Sequence, residues 1–305
     1  MMDGNMAGKT DDELKAIANP GQLKSFPTPD ELTQLERRLK FHPSSVSDPQ
    51  VLTHEQVARY NKNGYVMPIS IFTSEEITHV RNYFDGILAR TLRAGHNSYS
   101  IVSAHMKYGK VYDLLTHTRM VSVVKDILGE DVIAWGAQFF CKMPGDGKII
   151  SWHQDASFWP LSPAKTVTAW LAIDNADREN ACMRFIAGSQ ILGHLTYRLS
   201  EDDEQSVLNQ TVDSPERFGP VVYDELKAGQ ISLHSDLLLH GSDKNMSKRR
   251  RCGLTLRYCS SDVTSDPRYN WHKEGVLVSG RDPEGHWWNP PRPARDFDVT
   301  ASGAM

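Results

Sequence analysis

The spacing of apolar positions changes partway along the chain. Up to residue 130 they recur every three or four residues, the rhythm of helices packed on one side. In DELTQLERRLK, Leu32, Leu35 and Leu39 share a helical face. Thr53 with Gln56, and Thr73 with Glu76, have the spacing of capping boxes. The first predicts a short helix that Gly64 ends; the second predicts a longer one striped by Ile77, Val80, Phe84, Ile87 and Leu88. YVMPISIF, between them, reads as extended. A further helix fits residues 117–128, where Met120, Val121, Val124, Ile127 and Leu128 align and Gly129 suits the stop. Residues 42–52 read as a linker. Residues 1–27 are polar and carry Gly4, Gly8, Pro20, Gly21 and Pro27, which predicts a flexible or loosely attached lead-in.

From residue 131 the texture becomes short runs rich in β-branched and aromatic residues. VIAWGAQFFCKM, KIISWH, KTVTAWLAI, ACMRFIAGS, GQISLHSDLLLH and CGLTLRYCS each read as a strand. Together they predict an antiparallel sandwich or barrel, with the helical front half covering one sheet. Residues 194–226, acidic from Glu201 to Glu204, form a long excursion of the kind that helps to close a binding site. From Pro290 a Pro- and Arg-rich tail wraps the surface or is disordered. The resulting division is an extension over 1–45, one domain over 46–289 and a tail over 290–305.

Composition narrows the function classes. The 305 residues carry 34 Lys+Arg against 38 Asp+Glu, and a net charge of −4 argues against a nucleic-acid binder. No apolar run is long enough to span a membrane, and the N-terminus lacks the apolar core of a secretory signal. Cys141, Cys182, Cys252 and Cys259 form no CxxC pair and read as reduced core thiols of a cytoplasmic protein.

The sharpest local feature is Ser151-Trp152-His153-Gln154-Asp155. On a strand, His153 and Asp155 would point the same way, so an imidazole and a carboxylate can adjoin one metal ion. Two His and one carboxylate form the facial set for non-haem Fe(II), with further positions left open. The second His is His234 or His240, both in GQISLHSDLLLHGS. A dicarboxylate co-substrate also needs a cation, best an arginine. Eleven residues beyond His240 stands Arg251, whereas eleven beyond His234 stands Asn245, and Ser242 could donate to the same carboxylate. His240 is therefore preferred, and His234 is read as a buried or hydrogen-bonded strand residue.

The set His153-x-Asp155, His240, Ser242 and Arg251 resembles the phytanoyl-CoA dioxygenase family of Fe(II)- and 2-oxoglutarate-dependent oxygenases. LTHEQVARYNKNGYVMPISIFTSEEI resembles its helix–strand–helix opening. FFCKMPGDGKIISWHQD, VTAWLAIDNADRENACMRFIAGS and HGSDKNMSKRRRCGLTLRY resemble its core blocks, so that about residues 52–262 are covered. The resemblance implies a mainly β protein with flanking helices around a double-stranded β-helix (jelly roll, cupin-like) core. It implies an oxidoreductase that uses Fe(II), 2-oxoglutarate and O2 and releases succinate and CO2. Position by position, it implies iron ligation by His153, Asp155 and His240. It implies co-substrate contacts from Arg251, Ser242, Trp170, Gln138 and His105. Asn180-Ala181, Ala187 and Gln190 depart from the family's Asn-Gly, Pro and His, which bears on substrate and loop shape. Related halogenases lack the carboxylate, so Asp155 favours hydroxylation.

Other readings stay open. The Lys248–Arg251 run could be a nucleic-acid patch, but the net charge opposes it. Strand alternation would put Arg249 and Arg251 on one face. Arg257 lies too far along to serve the same carboxylate as Arg251, and is an anchor for an anionic substrate group or a surface salt bridge. Trp152, Phe158 and Trp159 are a substrate wall, an ammonium cage or packing. Trp271, His272, His286, Trp287 and Trp288 belong to a lid or to C-terminal packing. The competing class is a non-catalytic jelly roll that binds a metabolite or metal. Within enzymes, desaturation, cyclisation, demethylation or an acyl-CoA substrate compete with hydroxylation of a small polar metabolite.

Overall fold

Three threonines start helices by the same local device. Thr28, Thr53 and Thr73 each accept a hydrogen bond from the backbone three residues on, and Glu31, Gln56 and Glu76 reach back to the cap. The computed structural model describes residues 27–299. Its helices are α1 (Pro29–Thr33), α2 (His54–Asn63), α3 (Ser74–Arg93), α4 (Ala104–Lys107), α5 (Gly109–Leu115) and α6 (Thr118–Leu128). As expected, Gly64 ends α2 in a left-handed conformation and Gly129 follows α6.

The strands are β1 (Tyr65–Ser70), β2 (Val132–Lys142), β3 (Ile150–His153), β4 (Leu161–Ser162), β5 (Thr166–Ala172), β6 (Met183–Ile186) and β7 (Arg198–Leu199). They continue with β8 (Gln210–Thr211), β9 (Val221–Asp224), β10 (Gln230–Ser235), β11 (His240–Ser242), β12 (Arg251–Ser260), β13 (Thr264–Ser265) and β14 (Val276–Ser279). A six-stranded sheet has the order β1-β10-β5-β12-β2-β14, and a four-stranded sheet has the order β3-β11-β6-β9. Every strand pairing within these two sheets is antiparallel. This is the jelly roll.

Alternation sorts the large sheet into two unlike faces. Phe139, Cys141, Ala169, Leu171, Leu254, Leu256 and Tyr258 are buried against α2–α6 in one apolar core. Their alternates, Gln138, Lys142, Thr168, Trp170, Arg251, Thr255 and His234, turn inward and are mostly polar. A register shift between Arg257 and Tyr258, opposite Gly136 and Ala134, brings Trp135 to the inner side beside Arg257.

Three expectations change. The helix read through Leu39 stops at Thr33, because Arg37 donates to the carbonyls of Ala156 and Trp159, and Arg38 N donates to Ser162 Oγ. These contacts draw the chain out along the sandwich, where Leu39 packs against Ala156, Ala164 and Leu237. GQISLHSDLLLH is two strands, with a turn after Ser235 carrying the chain from the large sheet to the small one. The strand beginning at Arg251 leaves Arg249 outside, paired with Asp177 and Glu179. Residues 290–299 lie on the surface, with Arg292 on Asp113 and Asp296 accepting from Tyr83. Residues 1–26 of the lead-in expected over 1–27, and the last residues of the tail, fall outside the described residues. All four cysteines are buried and free.

The helical layer is tied down by one side chain. Asp126 on α6 is 3% exposed, and its carboxylate accepts from the backbone N–H of Gln50, Val51 and Leu52 at 2.7–2.8 Å, just before the cap of α2. Asp126→Ala leaves those donors unpaired and should cost about 2–4 kcal/mol. Urea denaturation checks this, as a lower midpoint at an unchanged slope.

Candidate metal and co-substrate site

β3 of the small sheet ends at His153, and Asp155 opens a single 3-10 turn rather than continuing the strand. Gln154 between them is extended and fully buried. Its amide donates to the carbonyls of Gly193 and Leu237, and its oxygen accepts from Leu195 N. This clamp holds the two neighbours toward the same interior space, so their juxtaposition survives although strand alternation is not its cause. β11 pairs directly with β3, setting His240 opposite His153. The two rings are 4.1 Å apart between centroids.

Both imidazoles are oriented by the backbone. Nδ1 of His153 meets the Ser151 carbonyl at 2.8 Å and Nδ1 of His240 meets the Leu238 carbonyl at 2.9 Å. A carbonyl only accepts, so both Nδ1 atoms carry a proton, which leaves each Nε2 as the atom available to a metal. Ligand atoms of His153, Asp155 and His240 lie within 4.8 Å of one another. Burial, reinforced by His153 and His234, pushes the His240 imidazole well below its usual range, so it is neutral as ligation requires. Burial opposes ionisation of Asp155, yet the nearby imidazoles of His153 and His234 hold its carboxyl well below the usual range. Thr168 Oγ1 donates to Asp155 Oδ2 at 3.1 Å. The donor set of two imidazoles and one carboxylate fits Fe(II).

Of the two readings of His234, buried or hydrogen-bonded, the structure bears out the first. It is 1% exposed, neither ring nitrogen has a partner, and Nε2 lies 3.7 Å from Asp155 Oδ2. Nothing in the chain pattern distinguishes this from a satisfied core histidine; the pairing with Thr168 that places it beside the triad is a tertiary fact.

At the other end of the same pocket stands Arg251, 1% exposed. Its Nη2 donates to Ser242 Oγ at 3.0 Å and its Nε to the Ala181 carbonyl at 3.0 Å. No carboxylate pairs with it among the described residues. A buried guanidinium without a counter-ion fits a site for an anion. Trp170 forms a wall, its ring 5.6 Å from the guanidinium carbon. A Cβ on Gly253 would sit 2.0 Å from Trp170 Cζ2, so this strand position must be glycine for the indole to lie there.

Two expected contacts are not brought to this pocket. His105 is buried in α4, meets the Glu274 carbonyl through Nε2, and is pushed down to about 4 by burial. Gln138 is in register with Thr255 on the inner face, but lines a separate cleft. That cleft, about 740 Å³, adjoins the metal pocket at Arg257, which lines both. Trp135 and Trp271 form part of its wall, stacked at 5.2 Å. Trp152, Phe158 and Trp159 go different ways. Trp152 packs under Arg184, Phe158 sets its edge against His153, and Trp159 packs edge-on against Trp135. Residues 270–274, which form one side of the cleft, lie beyond the stretch whose sequence carried a signal.

The family model described as phytanoyl-CoA dioxygenase (PhyH) matches residues 60–253. A probable phytanoyl-CoA dioxygenase of Caenorhabditis elegans is 24% identical over 242 residues, covering 70% of this chain and 77% of that protein. A probable alpha-ketoglutarate-dependent hypophosphite dioxygenase of Stutzerimonas stutzeri is 23% identical over 256 residues, covering 74% and 86%. Among solved structures, the apo form of the non-heme monooxygenase ThoJ superposes with a TM-score of 0.65 at 22% identity, covering 80% of this chain and 90% of that one.

Proposed function

We propose, for a chain that belongs to the phytanoyl-CoA dioxygenase family and is an Fe(II)- and 2-oxoglutarate-dependent oxygenase, that it hydroxylates a C–H bond of a small polar metabolite. One observation carries the residue assignment. Three ligand-competent groups, two of them imidazoles with Nδ1 fixed on carbonyls, share a pocket with a buried arginine that has no counter-ion.

In this reading His153, Asp155 and His240 hold the metal. Ser151 and Leu238 keep the two rings aimed without their having to reorganise. Arg251 and Ser242 receive the far carboxylate of 2-oxoglutarate, and Trp170 shields that pair from water, strengthening the charge–charge contact. When bound, the iron with 2-oxoglutarate and O2 supplies the oxidising power, releasing succinate and CO2. The chain itself binds, orients and excludes water; no acid–base residue is required of it. Asp155 fills the position that would otherwise be open to halide, which supports hydroxylation.

Anaerobic addition of Fe(II) and 2-oxoglutarate to the full chain should produce a weak visible absorption band. A panel of small polar metabolites, scored by succinate release above background and by product mass, should then give a substrate-dependent gain of one oxygen. No band with either reagent order, or succinate release that no substrate stimulates, would count against the reading.

A further inference from the structure

We propose that the cleft beside the metal pocket takes a small carboxylic acid with a flat or apolar body, its carboxylate received by Arg257. This rests on the oxygenase reading, since the molecule placed there is the one to be oxidised.

Arg257 leaves β12 on the inner face, six residues beyond Arg251. It makes no hydrogen bond or ion pair among the described residues, and its Nε is buried without a partner. Its guanidinium instead lies over the rings of Trp135 and Trp159, at 5.8 and 5.2 Å. Attraction to ring faces offsets only part of the desolvation of such a group. Its strand neighbour is Gly136, where a Cβ would touch the arginine stem at 3.4 Å from Cδ, so that only a branched side chain there would crowd it. An unpaired guanidinium in that position is complete only when an anion arrives.

The surrounding charge agrees. Lys107 and Lys273 also line the cleft, against Glu274 as the single carboxylate of its lining. A cleft of this sign disfavours amines. The Trp135–Trp271 stack offers a flat apolar wall. Its volume suits a small ligand. Asp155 and Glu274 are the acidic groups whose charges act on Arg257, and a doubly charged phosphonate would meet both. A planar monoanion matches one guanidinium bidentately at least repulsion.

The test uses the full chain loaded with Zn(II) and 2-oxoglutarate, titrated with 3-phenylpropanoate, its primary amide, and the matching phosphonate, with binding read by ligand-observed NMR. The acid should bind about tenfold or more tighter than the amide. Arg257→Met should reduce that preference to about twofold or less while 2-oxoglutarate affinity stays within about threefold. Gly136→Val keeps the cation but crowds it, and should also lose the preference, which guards against a folding defect peculiar to the first variant. Equal binding of acid and amide, no binding of the acid at about 10 mM, tighter binding of the phosphonate, or a preference that survives both variants would overturn the proposal. So would a loss of 2-oxoglutarate affinity in Arg257→Met with the acid preference intact, because the guanidinium would then serve the co-substrate. A preserved acid preference in a protein without the iron–2-oxoglutarate band would sink the oxygenase reading alone.

Discussion

His153→Ala and Asp155→Ala should each abolish the iron–2-oxoglutarate absorption band and lower substrate-dependent succinate release by about three orders of magnitude or more. A bound metal is worth several kcal/mol of barrier, at tenfold per ~1.4 kcal/mol. The structure makes the loss specific. The side-chain hydrogen bond of His153 is to the Ser151 carbonyl two residues away, and its ring contacts are Phe158 and the fellow ligand His240, so its removal disturbs the site rather than the core. Asp155 contacts Thr168 and faces His153 and His234, all within the pocket. Melting curves of the metal-free variants should therefore stay close to the parent, while metal content after Fe(II) loading falls. A variant that keeps the band and its activity would remove that residue from the proposed ligand set.

Arg251→Leu should weaken 2-oxoglutarate by about 100-fold or more, since truncating one partner of a buried, hydrogen-bonded charge pair costs about 2–5 kcal/mol. Arg251→Lys should fall between, because an ammonium keeps the charge and loses the planar fork that meets Ser242 and a carboxylate together. Titration of the visible band with 2-oxoglutarate gives the affinity directly. The effect should reside in the KM for 2-oxoglutarate, with kcat at saturation changed far less. A kcat loss at unaltered KM would place the arginine elsewhere in the chemistry.

How much of this was legible from residues alone depends on how local the cause is. The capping boxes at Thr53 and Thr73 are complete within four residues and appear where expected. Outer and inner faces of β5 and β12 follow from alternation, and so does the presence of Arg251 inside. Pairs two residues apart, such as His153 and Asp155, were read correctly as neighbours and for an incomplete reason, because the clamp that holds them comes from Gly193, Leu195 and Leu237. α1 is short because Arg37 finds carbonyls more than a hundred residues away, which no helical stripe can announce. His105 failed as a pocket residue on the same ground: its place is set by Glu274, in a region without a sequence signal. For Arg257 the sequence allows two readings, and the surface salt bridge falls away because no carboxylate pairs with it among the described residues, a fact no sequence pattern carries.

The family match ends at residue 253, and the metal ligands and Arg251 all precede that point. Arg257 and the cleft wall from Asn270 to Glu274 come after it. The cleft is thus composite: one wall, with Lys107, Trp135, Gly136 and Gln138, lies within the matched stretch, and the other, from Arg257 to Glu274, lies beyond it. Exchange of the segment after residue 253 between relatives would then replace one wall of the cleft, Arg257 included, while the opposite wall and the metal ligands stay in place.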